Sequence, residues 1–211
     1  MSLAKKAYSV IKAKILSCEY PPDTFLNEVT LIAEIGVSRT PIREAMTKLE
    51  HENLVRIVPK RGVIVSGISL GEIKAVYQVR ELLEPFIIRN WGQNVDHKAL
   101  LAYRESLEHY DPELPEETKF QLDNQLHRLI FDYCENKYFV QLLATVYDQT
   151  NRIRIISGKQ IRRRLEDTRV EHLAIVDRFL ENNIEAAADA MACHLENSKK
   201  AAFELLLKAP S

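Results

Sequence analysis

The pattern of apolar and polar positions changes near residue 67 of this chain. Before it, proline and glycine divide the sequence into short pieces, whereas from about residue 70 to Leu207 apolar residues recur with helical spacing almost without a break. We therefore predict a mainly α protein with two domains, residues 1–67 and 68–211. A length of 211 residues, 46% hydrophobic and 28% charged, is sufficient for two such cores.

Three helices and a tight turn are predicted in the first 52 residues. The stretch LAKKAYSVIKAKILSC has the apolar spacing of an amphipathic helix, and a shorter helix follows over 28–35. Gly36 and Val37 make a tight turn, after which Ser38 is a suitable N-cap for a third helix that ends near Glu52. The second helix is predicted to turn three side chains inward, those of Val29, Ile32 and Ala33. A short second helix, a tight turn and a third helix in this order are typical of a helix-turn-helix.

A basic hairpin follows the third helix. Residues 54–58 and 63–66 have the pattern of two β-strands, and the segment PKRG joins them, with Gly62 able to adopt a positive φ. A helix-turn-helix followed by such a hairpin is a winged helix. The sequence therefore predicts an N-terminal winged helix-turn-helix domain in residues 1–67.

Basic residues are concentrated where a winged helix would contact DNA. The first 67 residues carry ten Lys and Arg against seven Asp and Glu, a net charge of +3, whereas the remaining residues carry a net charge of −4. A recognition helix contacts bases through its N-terminal residues, and the planar fork of arginine can satisfy two acceptors of guanine. A solvated cationic face is the alternative. The residues predicted to contact DNA are Ser38, Arg39, Thr40, Arg43, Lys60, Arg61 and Gly62.

Six longer helices are predicted after the hairpin. Their apolar stripes are interrupted by polar segments such as YDPELP, CENKYF and ENNIEA. Because short loops join antiparallel neighbours, we predict that the second domain is an antiparallel all-α bundle. The helices are predicted over 70–92, 96–110, 116–134, 137–158, 162–181 and 183–208.

Three histidines and one aspartate lie on the apolar stripes of these helices. Asp123 and His127 are one turn apart on a face that should be buried, and His172 and His194 lie on the stripes of two later helices. Neutral imidazoles with one carboxylate are suitable ligands for a divalent transition metal, Zn²⁺, Ni²⁺ or a similar ion. Spacing alone leaves open the alternative that each group is a hydrogen-bonded core residue.

The N-terminal stretch resembles the GntR family of bacterial transcription regulators. The similarity runs from about Ile11 to Val65 and is carried by GVSRTPIREA in the recognition helix and by RGVIV in the wing. Val29 departs from the family pattern, because several relatives have a DNA-contacting arginine there. The resemblance implies a ligand-responsive transcription regulator, with repression as the expected direction of control. A homodimer would match the two-fold symmetry of a palindromic operator.

Residues 70–208 resemble the FCD ligand-binding domain of the FadR subfamily. The match is carried by VYQVRELLEP, DNQLH, EHLAIVDRF and MACHL. It implies that the effector is a small organic acid, which would need a further cation to fix its orientation. Arg80 is the first candidate, with an ion pair to Glu84 as its alternative role, and Arg154 is the second candidate. The resemblance also implies a metal held by four side chains, those of Asp123, His127, His172 and His194.

Two other functions compete with this interpretation. Three histidines, an aspartate and an open metal position also describe a hydrolase, but Glu171, the nearest possible base, faces about 100° away from the metal on its helix. The other alternative is a DNA-binding dimer whose helical domain is only structural. The sequence contains no apolar run long enough to span a membrane and no signal peptide, so we predict a cytoplasmic protein with no membrane partner.

Overall fold

The chain forms two compact units. A computed structural model describes residues 2–59, 61–111, 113–157 and 162–208. The first unit consists of Met1–Ser69 and Asp148–Ile156, and the second consists of Leu70–Tyr147 and Ser157–Ser211. The boundary expected near residue 67 therefore lies close to the end of the first segment, and a short internal segment also belongs to the first unit.

The first unit contains three helices and three short strands. The helices are α1 (Leu3–Leu16), α2 (Glu28–Ile35) and α3 (Arg39–His51), and the strands are β1 (Phe25–Leu26), β2 (Val55–Val58) and β3 (Gly62–Val65). The strands form an antiparallel sheet in the order β1-β3-β2, in which Val55 pairs with Val65 and Phe25 pairs with Ile64. The predicted helix-turn-helix and wing are confirmed, whereas β1 is an element that the sequence pattern did not predict.

Side chains and backbone conformation fix the start and the end of α2. The Asn27 side chain accepts hydrogen bonds from the backbone N–H groups of Val29 and Thr30, as an N-cap does. Gly36 ends the helix with φ at 70°, the left-handed conformation that glycine adopts without strain. Ser38 occupies the N-cap position of α3 as predicted, but its hydroxyl makes no capping hydrogen bond.

The inward face of α2 differs from the prediction. Leu31 and Ile35 are its buried residues, whereas Val29 is 66% exposed and Ala33 is also exposed, so the inward assignment of these two residues is wrong. Five of the eight residues of α2 are apolar and lie all around the helix, so periodicity does not select one face. Packing of the whole unit determines which face of α2 is buried. The core of this unit includes Ala7, Ile11, Ile15, Leu31, Ile35, Ile42 and Leu49.

The second unit is a bundle of helices. Its α-helices are α4 (Leu70–Trp91), α5 (His97–Glu108), α6 (Glu116–Phe131), α7 (Lys137–Ser157), α8 (Arg162–Leu180) and α9 (Ile184–Lys208), with the later half of α7 in the first unit. All six predicted helices are present, with ends within a few residues of those expected. The buried core includes Ile87, Leu100, Leu126, Ile130, Ile175, Phe179 and Met191. In the described part of the chain, no helix is both long enough and apolar enough to cross a membrane.

Candidate functional site

Four predicted metal ligands come together inside the second unit. Asp123 and His127 lie on α6, His172 lies on α8 and His194 lies on α9, and none of them is more than 9% exposed. One potential ligand atom from each residue lies within 4.8 Å of the others. His172 Nε2 is 3.4 Å from His194 Nε2 and 3.7 Å from Asp123 Oδ1. The four groups therefore converge in the structure.

Each histidine of the cluster is held through its outer ring nitrogen. When a neutral imidazole carries its proton on Nδ1, the lone pair of Nε2 is available to a metal, and the partner of Nδ1 fixes the ring orientation. Carboxylates of Glu84 and Glu171 can accept the Nδ1 protons, and so can the Tyr103 oxygen. The contacts are His127 Nδ1 with Glu84 Oε2 (2.8 Å), His172 Nδ1 with the Tyr103 hydroxyl (2.7 Å) and His194 Nδ1 with Glu171 Oε2 (2.7 Å).

The inner nitrogen atoms have the surroundings that a metal ligand requires. His127 Nε2 is buried and has no hydrogen-bond partner among the described residues, which is costly for a polar atom unless another group binds it. Burial lowers the pKa of His194 to about 4, although Glu171 and Asp123 act in the opposite direction. Its imidazole is therefore neutral near pH 7, the form that binds metal. Three imidazole nitrogens and one carboxylate are a donor set that fits a divalent transition metal.

Arg80 and Glu84 form a fully buried ion pair next to this cluster. Arg80 Nε donates to Glu84 Oε1 at 2.7 Å, and the Tyr147 hydroxyl accepts from Arg80 Nη2 at 2.9 Å while donating to Glu84 Oε1 at 2.8 Å. Burial raises the pKa of Glu84, but Arg80 and His127 outweigh it and hold that pKa at about 2. The ion pair considered as an alternative role of Arg80 is thus present. Arg80 Nη1 remains buried with no hydrogen-bond partner in the described part of the chain.

Glu171, which sequence reasoning considered only as a base, holds His194 and is itself held by Arg164. The Arg164 guanidinium donates to both oxygens of Glu171, at 2.8 and 2.7 Å, and to the Ser198 hydroxyl at 2.7 Å. Burial raises the pKa of Glu171, but His194 and Arg164 lower it to about 2. Arg164 thus belongs to the support of the cluster. Arg154, the second effector candidate, lies in the first unit.

The predicted DNA-contacting residues that the structure describes lie on the exposed side of the helix-turn-helix and at the wing. Arg39 is 62% and Arg43 is 67% exposed, and Ser38 and Thr40 are exposed beside them. Arg61 is exposed at the hairpin turn, where Gly62 has φ at 110°, and Lys60 lies outside the described residues. The opposite face of α3 is buried through Ile42, Ala45, Met46 and Leu49.

Comparisons with known proteins give a family match for each of the two units. Residues 3–65 match the model of bacterial regulatory proteins of the gntR family, and residues 75–197 match the FCD domain. YdhC of Bacillus subtilis (strain 168), an uncharacterized HTH-type transcriptional regulator, is 26% identical over 194 residues, which are 90% of this chain and 86% of YdhC. The HTH-type transcriptional repressor RspR of Escherichia coli (strain K12) is 24% identical over 204 residues, 91% of this chain and 85% of RspR.

A solved structure shows the same fold. The crystal structure of a GntR transcriptional regulator from Rhodococcus sp. RHA1 matches the whole of both chains with a TM-score of 0.80 at 18% identity. The matched gntR family and the curated relatives YdhC and RspR are transcription regulators and not enzymes, which removes the hydrolase alternative. Since the FCD match covers more than half of the chain, this protein belongs to the gntR family of bacterial regulatory proteins with an FCD domain and is a DNA-binding transcription regulator.

Proposed function

We propose that this regulator is a repressor whose operator affinity is controlled by a small organic acid bound at a metal site. Residues 1–67 would bind DNA, and residues 68–211 would bind the metal and the acid. The main support is the cluster of Asp123, His127, His172 and His194, in which four buried ligand atoms lie within 4.8 Å of one another. A core that needed only packing would not gather three imidazoles and a carboxylate, because buried polar groups are costly.

The side chains of the cluster favour binding of a divalent cation, and the bound cation would in turn favour binding of an anion. When bound, a divalent metal such as Zn²⁺ or Ni²⁺ supplies coordination positions beyond the four that the protein fills, and a carboxylate oxygen can take one. The partners of the three Nδ1 atoms keep the Nε2 atoms turned toward the shared centre. Asp123 contributes the one negative charge among the four ligands. The set therefore leaves a bound divalent ion with net positive charge, which favours an anionic effector.

Arg80 is the residue that we propose orients the acid. Its guanidinium is fixed by Glu84 and the Tyr147 hydroxyl, while Nη1 is buried without a partner in the described residues. A fixed, desolvated guanidinium loses little further conformational freedom when it donates to a carboxylate. Glu84 binds both Arg80 and His127, so an acid that contacts Arg80 also acts on a support of the metal site. Arg154 stays a second, independent prediction for an effector contact.

The DNA-binding unit is proposed to act in a homodimer on a palindromic operator. One recognition helix covers only a few base pairs, and a two-fold protein matches a two-fold site. Arg39 and Arg43 would read bases, Ser38 and Thr40 would contact phosphates, and Lys60, Arg61 and Gly62 would place the wing on the DNA backbone. The relative RspR is named a repressor, which supports repression as the direction of control. A bacterial regulator acts on the chromosome, so we propose that the protein works in the cytoplasm.

Metal content and operator binding of two histidine variants test this proposal. His172→Ala removes one cluster ligand, and His97→Ala makes the same change at an exposed position on α5. We expect the wild type and His97→Ala to hold one ion per chain after incubation with Zn²⁺ and removal of free metal. His172→Ala should hold none and should still bind the operator, because the first unit is unchanged. A wild type that holds no ion would favour the alternative in which the helical domain is only structural.

A further inference from the structure

A single carboxylate faces both arginines that are proposed to read bases. Glu28 Oε1 accepts from Arg43 Nε at 2.7 Å, and Glu28 Oε2 accepts from Arg43 Nη2 at 3.3 Å. Glu28 Oε2 is also 3.7 Å from Arg39 Nε. Glu28 is 31% exposed, against 62% for Arg39 and 67% for Arg43. The carboxylate is thus the less exposed member of a three-residue cluster on the surface proposed to face DNA.

The position of Glu28 is well defined by local structure. It is the first residue of α2, directly after the Asn27 cap, and α2 is anchored in the core by Leu31 and Ile35. An acidic residue in the first turn of a helix is usually explained by the helix dipole alone. Here the same carboxylate also reaches across to α3, 11 and 15 residues further along the chain, where it meets two guanidinium groups.

Such a carboxylate has two consequences for DNA binding. Arg43 uses its Nε and Nη2 atoms on Glu28, while its Nη1 makes no hydrogen bond within the described chain and remains available to a base edge. Arginine side chains have many rotamers, so a carboxylate that restrains them reduces what is lost when a base contact forms. A negative charge next to the arginines also repels phosphate, and phosphate contacts supply most non-specific affinity.

We propose that Glu28 is a positioning residue that sets the specificity of DNA binding. It holds Arg39 and Arg43 ready for base contacts and weakens binding to any duplex on which these arginines meet only phosphate. This inference rests on the base-reading role proposed above for the two arginines. It predicts that loss of the Glu28 charge strengthens non-specific binding without strengthening binding to the operator.

The test compares a specific and a non-specific duplex. The specific duplex is obtained by in vitro selection with the wild-type protein, and a scrambled duplex of equal length and composition serves as the competitor. Kd is measured on both for the wild type, Glu28→Gln, Arg43→Ala and a control, at several salt concentrations and well below the melting temperature of every variant. The control is Glu44→Gln, which makes the same charge change at an exposed position of α3 that pairs with neither arginine.

Glu28→Gln is expected to bind the scrambled duplex more tightly and the selected duplex no more tightly. The Kd for the scrambled duplex divided by the Kd for the selected duplex should fall about 2- to 30-fold. This is the range expected from losing two exposed ion pairs. Glu44→Gln should leave the ratio unchanged. An unchanged or larger ratio in Glu28→Gln, or an equal fall in Glu44→Gln, would overturn the inference.

Arg43→Ala separates this inference from the base-reading proposal. If Arg43→Ala relaxes the preference at one base while Glu28→Gln keeps the wild-type ratio, only the role of Glu28 is refuted. If Arg43→Ala leaves every base preference unchanged, Arg43 does not read bases, and the positioning role of Glu28 toward it fails as well. A relaxed base preference in Arg43→Ala together with a reduced ratio in Glu28→Gln supports both.

Discussion

Replacing Tyr103 by phenylalanine removes one hydroxyl and nothing else from the support of the proposed metal site. Tyr103 and His172 are both fully buried, and the hydroxyl lies 2.7 Å from His172 Nδ1. With the hydroxyl gone, Nδ1 loses this partner, which costs about 1–3 kcal/mol in the stability of the metal-free protein. Loss of such a supporting contact typically weakens metal binding by about 10- to 100-fold. We therefore expect both effects in Tyr103→Phe.

The assay is a competition titration of Zn²⁺ against a chelating dye, together with thermal melts with and without metal. At a free metal concentration about 1,000 times the wild-type Kd, binding stabilises the wild type by about 4.1 kcal/mol, and the variant by only about 1.4–2.7 kcal/mol. Tyr133→Phe is the control, because Tyr133 is a partly buried tyrosine of the same core that is not a partner of the cluster histidines. Wild-type metal affinity in Tyr103→Phe, or an equal loss in Tyr133→Phe, would refute the reasoning.

Three further predictions concern DNA binding, assembly and the buried ion pair. Arg43→Ala should cost about 1–3 kcal/mol at its cognate base, whereas Arg61→Ala should weaken binding to all sequences and reduce the salt slope by about 1, as titrations on operator variants would show. Sedimentation should give a dimer both free and on the operator, and a monomer in both states would contradict the palindrome proposal. Glu84→Leu should lower the free energy of unfolding by about 3–5 kcal/mol, because it leaves the buried charge of Arg80 without its carboxylate partner. The double variant Arg80→Met with Glu84→Leu should lose clearly less stability in denaturant melts. Equal losses of stability in the two variants would show that the charges are not coupled.

The long helices could be predicted from the sequence because their periodicity extends over many turns. The predicted bounds of α2, 28–35, agree with the structure even though its inward face does not, since apolar residues surround this short helix. Strand β1 was missed because two residues, Phe25 and Leu26, are too few to show an alternating pattern. Its place in the sheet depends on pairing with β3, which is a contact between distant parts of the chain.

The four candidate ligands could also be predicted, whereas most of their supports could not. Asp123, His127, His172 and His194 each interrupt an apolar stripe, which is a signal within a single helix. Tyr103 and Tyr147 give no such signal, because aromatic residues are ordinary members of a helical core. Their roles depend on which side chains face each other across neighbouring helices, and spacing along one helix does not contain that information.

The dependence of operator affinity on small carboxylates tests the central claim most directly. Operator Kd is measured for Zn²⁺-loaded wild type, His97→Ala and His172→Ala, each with a panel of mono-, di- and tricarboxylates that includes acetate, malonate and citrate. We predict that at least one acid changes the Kd of the wild type and of His97→Ala by about 5- to 150-fold, and that no acid changes the Kd of His172→Ala. The same shift in His172→Ala, or no shift in the wild type with any acid, would contradict the proposal that the metal cluster is the receptor for a small organic acid.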